Sequence, residues 1–171
     1  MHMFDGDIHS SPATEKVFPM LESAVLSLLG YLHLPDPASP ADLLPSSMEL
    51  IMDFWGSWVF QESARRTVLL GLYSIQIYKL LQGTASMYCD GRLGLVHAWY
   101  SSAHLWNAET AFDFAVAWTE RQHFVILNAD FSNVLQNAHA DDVDLFTKML
   151  LVTILGIDKA KAWFYARGAL L

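Results

Sequence analysis

The stretch WVFQESARRTVLLGLYSIQIYKLL, residues 58 to 81, is apolar almost all the way round, as a helix through the middle of a core should be. Yet it carries Glu62, Arg65 and Arg66 together. Spacings of three and four residues let Glu62 reach both arginines along one side of a helix. Two readings follow. In the first, the arginines are architectural, bonded to Glu62 and to loop carbonyls or acidic side chains of other segments. In the second, one arginine faces a cavity, where its planar guanidinium binds an anionic ligand such as a carboxylate or enolate.

The helical pattern around this stretch extends from about residue 48 to 82, with a bend expected at Gly56 and a stop at Gly83. Ser46 or Ser47 can cap it, and Glu49 near its start complements the helix dipole. Upstream, PDPASPADLLPSS holds four of the six prolines and reads as a stiff connector. Before it, TEKVFPMLESAVLSLLGYLHL repeats apolar residues at Leu21, Val25, Leu28, Leu29 and Leu32, one buried helical stripe. Thr14 can cap this helix, and Pro19 should kink it or mark its first turn. Residues 1–13 read as a flexible tail.

Downstream, TASMYCDGRLGLVHAWYS (84–101) has no sustained period and reads as one long loop. Ser101 or Ser102 then caps a helix over AHLWNAETAFDFAVAWTER, and a shorter piece, DFSNVLQNAH, follows. Another helix opens on ADDVD, acids at the positive end of the dipole, and closes at Gly156. Asp158 caps a last helix, KAKAWFYAR, ended by Gly168. The one strand candidate, HFVILNA (123–129), is short. The expectation is an all-α, single-domain helical bundle over 14–171 with one long loop at about 84–101.

Composition narrows the function. At 53% hydrophobic and 16% charged over 171 residues, the chain can bury a sizeable core without disulfides or metals. A net charge of −8 and only ten basic residues argue against direct nucleic-acid binding. One cysteine, Cys89, excludes a disulfide framework and a thiolate-rich zinc site. The polar, acidic start MHMFDGDIHSS is neither a secretory signal nor a transit peptide. The clearest apolar run, MLLVTILGI (149–157), is too short to span a membrane.

Three pieces together carry a family resemblance. FWGSWVFQESARRTVLLGLYSIQIYKLLQG resembles the tryptophan- and Glu-Ser-x-Arg-Arg-Thr-bearing helix of the large helical regulatory region of fungal zinc-cluster transcription factors. SSAHLWNAETAFDF, with its Leu-Trp-x-Ala core, and DLFTKMLLVTILGIDKAKAWF, with its Gly-Ile-Asp turn and tryptophan, are similar to later pieces of that region. The matches come in family order over roughly residues 45–165. Those factors read DNA through an N-terminal cluster held by six cysteines, whereas this chain has one. The resemblance therefore implies a regulatory region without the DNA-binding cluster.

Chemistry-bearing residues are few. None of the seven histidines pairs with another at helical i, i+4 spacing, so no metal site is expected. Glycine-rich nucleotide motifs and a G-x-S-x-G elbow are lacking, and no cofactor is implied. Glu109 and Asp113 lie four apart, on one face of the expected helix after Ser102, with Trp106 a turn earlier. Buried, one carboxyl would be held protonated and serve as a general acid or base; solvated, the pair would do nothing. The loop supplies Tyr88, Cys89, Asp90, Arg92, His97, Trp99 and Tyr100, a chemically equipped set that would otherwise simply pack on the bundle. Six tryptophans and seven methionines are core material, and also what lines pockets for apolar conjugated ligands.

Three functions are consistent with these residues. The first is a small-molecule-binding bundle acting as a cofactor-independent cyclase or isomerase, including pericyclic closure, on a polyketide-like secondary metabolite. There His97 or Tyr100 would move a proton, with Glu109 or Asp113 as partner carboxyl. Arg65 or Arg66 would stabilise negative charge, and Tyr73, Trp99 and Trp106 would hold an apolar substrate. The second is a stand-alone transcription-regulatory domain that acts through protein partners or senses a metabolite. The third is a pure interaction module, favoured by an exposed apolar patch on the outer face of the 48–82 helix. Partners are then an apolar small molecule, no nucleic acid directly and no membrane, and a homodimer is compatible. The location would be cytoplasmic, or nuclear for a regulator.

Overall fold

The computed structural model describes residues 12–33, 43–44, 46–83 and 98–171. Its elements are α1 (Pro12–Leu29), α2 (Met48–Leu81), β1 (Trp99–Ser101), α3 (Ala103–Trp106), α4 (Ala111–Glu120), β2 (Phe124–Ile126), α5 (Ser132–Asn137), a 3-10 turn (Ala140–Asp142), α6 (Leu145–Leu155) and α7 (Ile157–Ala166). The fold is mostly helical. No helix among the described residues is long and apolar enough to cross a membrane.

Helix α2 is the spine, 34 residues long. Its start is fixed by Ser47, whose Oγ accepts from Leu50 N at 3.4 Å. It passes Gly56 unbroken, and Gly83, at φ +68°, stands just beyond its end. Helix α1 begins at Pro12, two residues inside the expected tail, so Thr14 lies within the helix instead of ahead of it. Pro19 also lies inside α1. The two helices run antiparallel. Phe18 stacks on Tyr78 at 3.7 Å, Glu22 pairs with Lys79 at 3.1 Å, and the chain at Tyr31 and His33 meets Gln61. Midway, Gly71 lets Val25 in: a Cβ on Gly71 would lie 2.5 Å from Val25 Cγ2.

Two cores lie along α2. Ile51 and Trp58 join Leu105, Phe114 and Trp118 in one. Val68, Leu69 and Leu72 join Ile126, Phe146 and Phe164 in the other. Between the two cores sits a small antiparallel sheet that pairs Trp99 with Ile126, Tyr100 with Val125 and Ser101 with Phe124. Period-two alternation sends Trp99, Phe124 and Ile126 into one core and Tyr100 and Val125 towards the other. The end of the expected loop is thus a short strand, part of a small two-stranded sheet in an otherwise helical fold.

Three helix boundaries also differ from expectation. The helix after Ser102 is two helices. Ser102 Oγ caps α3, and the chain leaves helical geometry at Asn107. Thr110 starts α4, accepting from Asp113 N at 3.1 Å while donating to Asp113 Oδ2 at 2.6 Å. This reciprocal cap makes a fresh helix start where continuation was expected. The acids of ADDVD divide between the 3-10 turn and Asp144, whose carboxylate caps α6. Asp158 is not the cap of α7; Gly156, at φ +81°, occupies that position and Asp158 lies in the first turn.

The close approach at Gly71 yields a stability test. Glycine to alanine inside a helix ordinarily gains about 1 kcal/mol, but here the new methyl meets Val25 and overpacking costs roughly 1–3 kcal/mol. Gly71→Ala should lower the denaturation midpoint, and adding Val25→Ala should make the glycine replacement favourable. A stabilised Gly71→Ala single variant would show that the helices are not held this close.

Candidate functional site

The double arginine is the centre of a buried network. Glu62 is fully buried. Its Oε1 accepts from Arg65 Nε at 3.2 Å and Nη2 at 2.6 Å. Its Oε2 accepts from Tyr100 N at 3.2 Å and lies 3.6 Å from Arg66 Nη2. Arg65 Nη1 also donates to the carbonyl of His33, holding the chain after α1. Arg66 donates through Nη2 to Tyr100 O at 2.9 Å and through Nη1 to Asp144 Oδ1 at 3.0 Å. Asp144 in turn accepts from Ser102 N, Thr147 N and Thr147 Oγ1 at 3.1–3.2 Å. The architectural reading of the arginines describes these bonds.

Tyr100 explains why the network is there. Its peptide N–H and C=O both bond to α2 side chains instead of to β2, so Glu62 and Arg66 satisfy the free edge of β1. Two carboxylates and two guanidiniums meet in nearly dry surroundings with no net charge. Burial pushes the Glu62 carboxyl above its ordinary range, while Arg65, Arg66 and the Tyr100 N–H pull it back.

Arg66 also has a second neighbour. Its guanidinium carbon lies 4.2 Å from the ring centre of Trp106 and 4.7 Å from that of Phe146. These three residues line a solvent-open cleft of about 600 Å³, together with Leu70, Lys148 and Met149 among others. A shallower apolar recess of about 450 Å³ adjoins it, sharing Leu145, Lys148 and Met149 and continuing past Val152 to Leu171. Among the described residues no group of three His, Cys, Asp or Glu side chains gathers as a metal site would need.

The residues expected to form a site are spread through the fold. Arg66 and Trp106 share the cleft. Arg65 is buried beside Glu62 and is not among the cleft's lining residues. Trp99 is buried, its indole N–H donating to Thr147 Oγ1 at 3.2 Å. Tyr73 packs, half-buried, against the core that contains Val68. The Tyr100 ring lies in the other core, 5.5 Å from Trp118 and 6.0 Å from His123. Glu109 and Asp113 do not share a helical face: Glu109 precedes the Thr110 cap and Asp113 is part of that cap, and both are exposed. They are solvated, and the pairing expected of them is absent because the helix breaks between them. His97, with Tyr88, Cys89, Asp90 and Arg92, lies outside the described residues.

Asp144, Thr147, Lys148 and Met149 belong to the site and were not singled out in the sequence. The signal for one was present: Asp144 stands three residues before Thr147 at a helix start, the spacing of a cap. Nothing local marks Lys148 or Met149 as cleft residues.

The helix that carries this buried cluster lies within a region of distant homology to a fungal transcription factor. That relative is the transcription factor gsfR2 of Penicillium aethiopicum, 25% identical over 164 residues. The similarity covers 94% of this chain and 38% of the relative, so the chain spans well under half of that protein's length. No family model matches the chain, and no solved structure does.

Two tests follow from the geometry. Glu62→Gln keeps the shape but removes the charge between two buried arginines, and should cost about 3 kcal/mol of unfolding free energy. A midpoint within experimental error of wild type would show that the cluster does not hold β1. The second concerns pH. Burial near Tyr100 and Trp118 holds the His123 imidazole below its ordinary 6.5, against an opposing backbone hydrogen bond at Arg121. The stability this contributes is complete above 6.5 and is lost as pH falls from there through the lowered folded value. His123→Phe should therefore lose less stability than wild type between about pH 7.5 and 5.5 in denaturant titrations. Equal losses would assign the pH dependence to other groups.

Proposed function

We propose that this protein is a transcription-regulatory helical domain that works through protein partners or as a metabolite sensor and does not itself grip DNA. The observation that carries this reading is homology to a transcription factor along 94% of the chain. Its net charge of −8 supports the absence of direct DNA contact.

The outer face of α2 supports a protein partner. Phe60, Ser63, Thr67, Leu70, Ser74, Ile77 and Leu81 are all exposed and recur at alternating steps of three and four residues. That is the pitch at which a second helix packs. Thr67 and Ser74 donate their hydroxyls to the carbonyls of Ser63 and Leu70, both at 2.8 Å, so they can be covered without stranding a donor. Leu70, Ile77 and Leu81 retain 43%, 59% and 52% exposure, an apolar row that a partner helix would bury.

A second reading has the cleft as its support. A cofactor-free cyclase or isomerase acting on a polyketide-like molecule would use the Arg66 guanidinium in the cleft wall to stabilise negative charge. Deleting the gene in its host, then profiling neighbouring transcripts and metabolites together, separates the two. The regulatory reading expects those transcripts to fall with no precursor accumulating. Steady transcripts with an uncyclised or isomeric precursor building up would overturn it in favour of catalysis.

A further inference from the structure

We infer that the cleft between α2, α3 and the start of α6 binds a small amphiphilic anion, a flat apolar body bearing one carboxylate or ionised phenol, with Lys148 as its charge partner. The assignment stands whether the cleft serves a sensor or an enzyme.

Size and walls come first. About 600 Å³ lies within the range of small-molecule sites. Leu70, Trp106, Leu145, Phe146 and Met149 give the cleft flat aromatic and adaptable aliphatic surface. A conjugated body is what such walls cover best.

Charge then selects among apolar ligands. The cleft's titratable side chains are Arg66, Asp144 and Lys148. Arg66 and Asp144 compensate each other at 3.0 Å, and behind them Arg65 and Glu62 do the same at 2.6 Å. Lys148 has no carboxylate partner among the described residues; its ammonium lies 5.2 Å from the Phe164 ring centre. The cleft thus carries one uncompensated positive charge on a chain whose net charge is −8. Arg66 Nε and Trp106 Nε1, on two lining residues, are buried and have no acceptor among the described residues. A neutral ligand would gain only the walls, and a cation would be repelled by Lys148.

Position fixes the binding mode. Lys148 and Met149 border both the cleft and the adjoining recess. An anionic group at Lys148 therefore sits where the two meet, with the apolar body lying over Trp106 and Phe146.

The test uses the full chain, isotopically labelled, titrated with 2-naphthoate and with its neutral analogue 2-naphthamide. Naphthoate should bind on the order of tenfold more tightly than the amide, with amide shifts concentrated at Ala103, Asn107 and residues 143–149. Lys148→Met keeps the aliphatic stem and should erase that preference while leaving naphthamide affinity and the unfolding midpoint unchanged. Leu145→Glu, at a position 74% exposed and thus safe for folding, should abolish naphthoate binding by placing a like charge in the cleft. Equal affinity for the two probes, no saturable naphthoate binding, shifts centred elsewhere, or a preference that survives Lys148→Met would each overturn the assignment.

Discussion

The peptide group of Tyr100 turns its N–H and C=O away from β2, the strand paired with it, towards a helix. A helix backbone has nothing to offer a strand edge, because its own groups are spent on one another. Helix α2 answers with side chains instead, a carboxylate for the N–H and a guanidinium for the C=O. Each charge then needs its own partner, and that requirement brings in Arg65 on one side and Asp144 on the other. The chain after α1, the sheet and the start of α6 all attach to α2 through this one chain of obligations.

Such a cluster is not principally a source of net stability. Desolvating two ion pairs costs about what their attraction returns. Its effect is on register. Apolar contacts along α2 would tolerate a slide of one turn, whereas Glu62 and Arg66 can meet both polar atoms of Tyr100 in one alignment only. The polar layer also separates the two cores, so α2 presents different faces to different neighbours along its length. The cleft lies beside this arrangement, with Arg66 held at the surface of the cluster against the Trp106 and Phe146 rings.

The sequence made the spine of this fold legible, along with most helix positions. The periods around α1 and α2 are long, and caps such as Ser47 and Ser102 are local. Strand β1 was not legible. Trp99, Tyr100 and Ser101 are buried on both faces, so no alternation of polar and apolar residues marks them. The break between α3 and α4 was missed because the helical apolar pattern continues through it, while the Thr110–Asp113 cap that ends it is small. Of the site, Arg66 and Trp106 could be singled out by residue type, but their partners could not. Asp144 lies 78 residues from Arg66, and no local pattern links them. No local signal sets Lys148 or Met149 apart from the other residues of their helix.

The length of that link has a kinetic meaning. Helix α2 and most of the chain are synthesised before Asp144 and Thr147 exist, and until α6 arrives Arg66 has Glu62, the β1 edge and the Trp106 ring but not its second carboxylate. Closing so wide a loop is entropically slow, and its reward comes only on completion. Until then the core that takes in Phe146, Leu151 and Phe164 is incomplete as well. During synthesis, the ion pair that closes the polar middle waits for the start of α6 to be made.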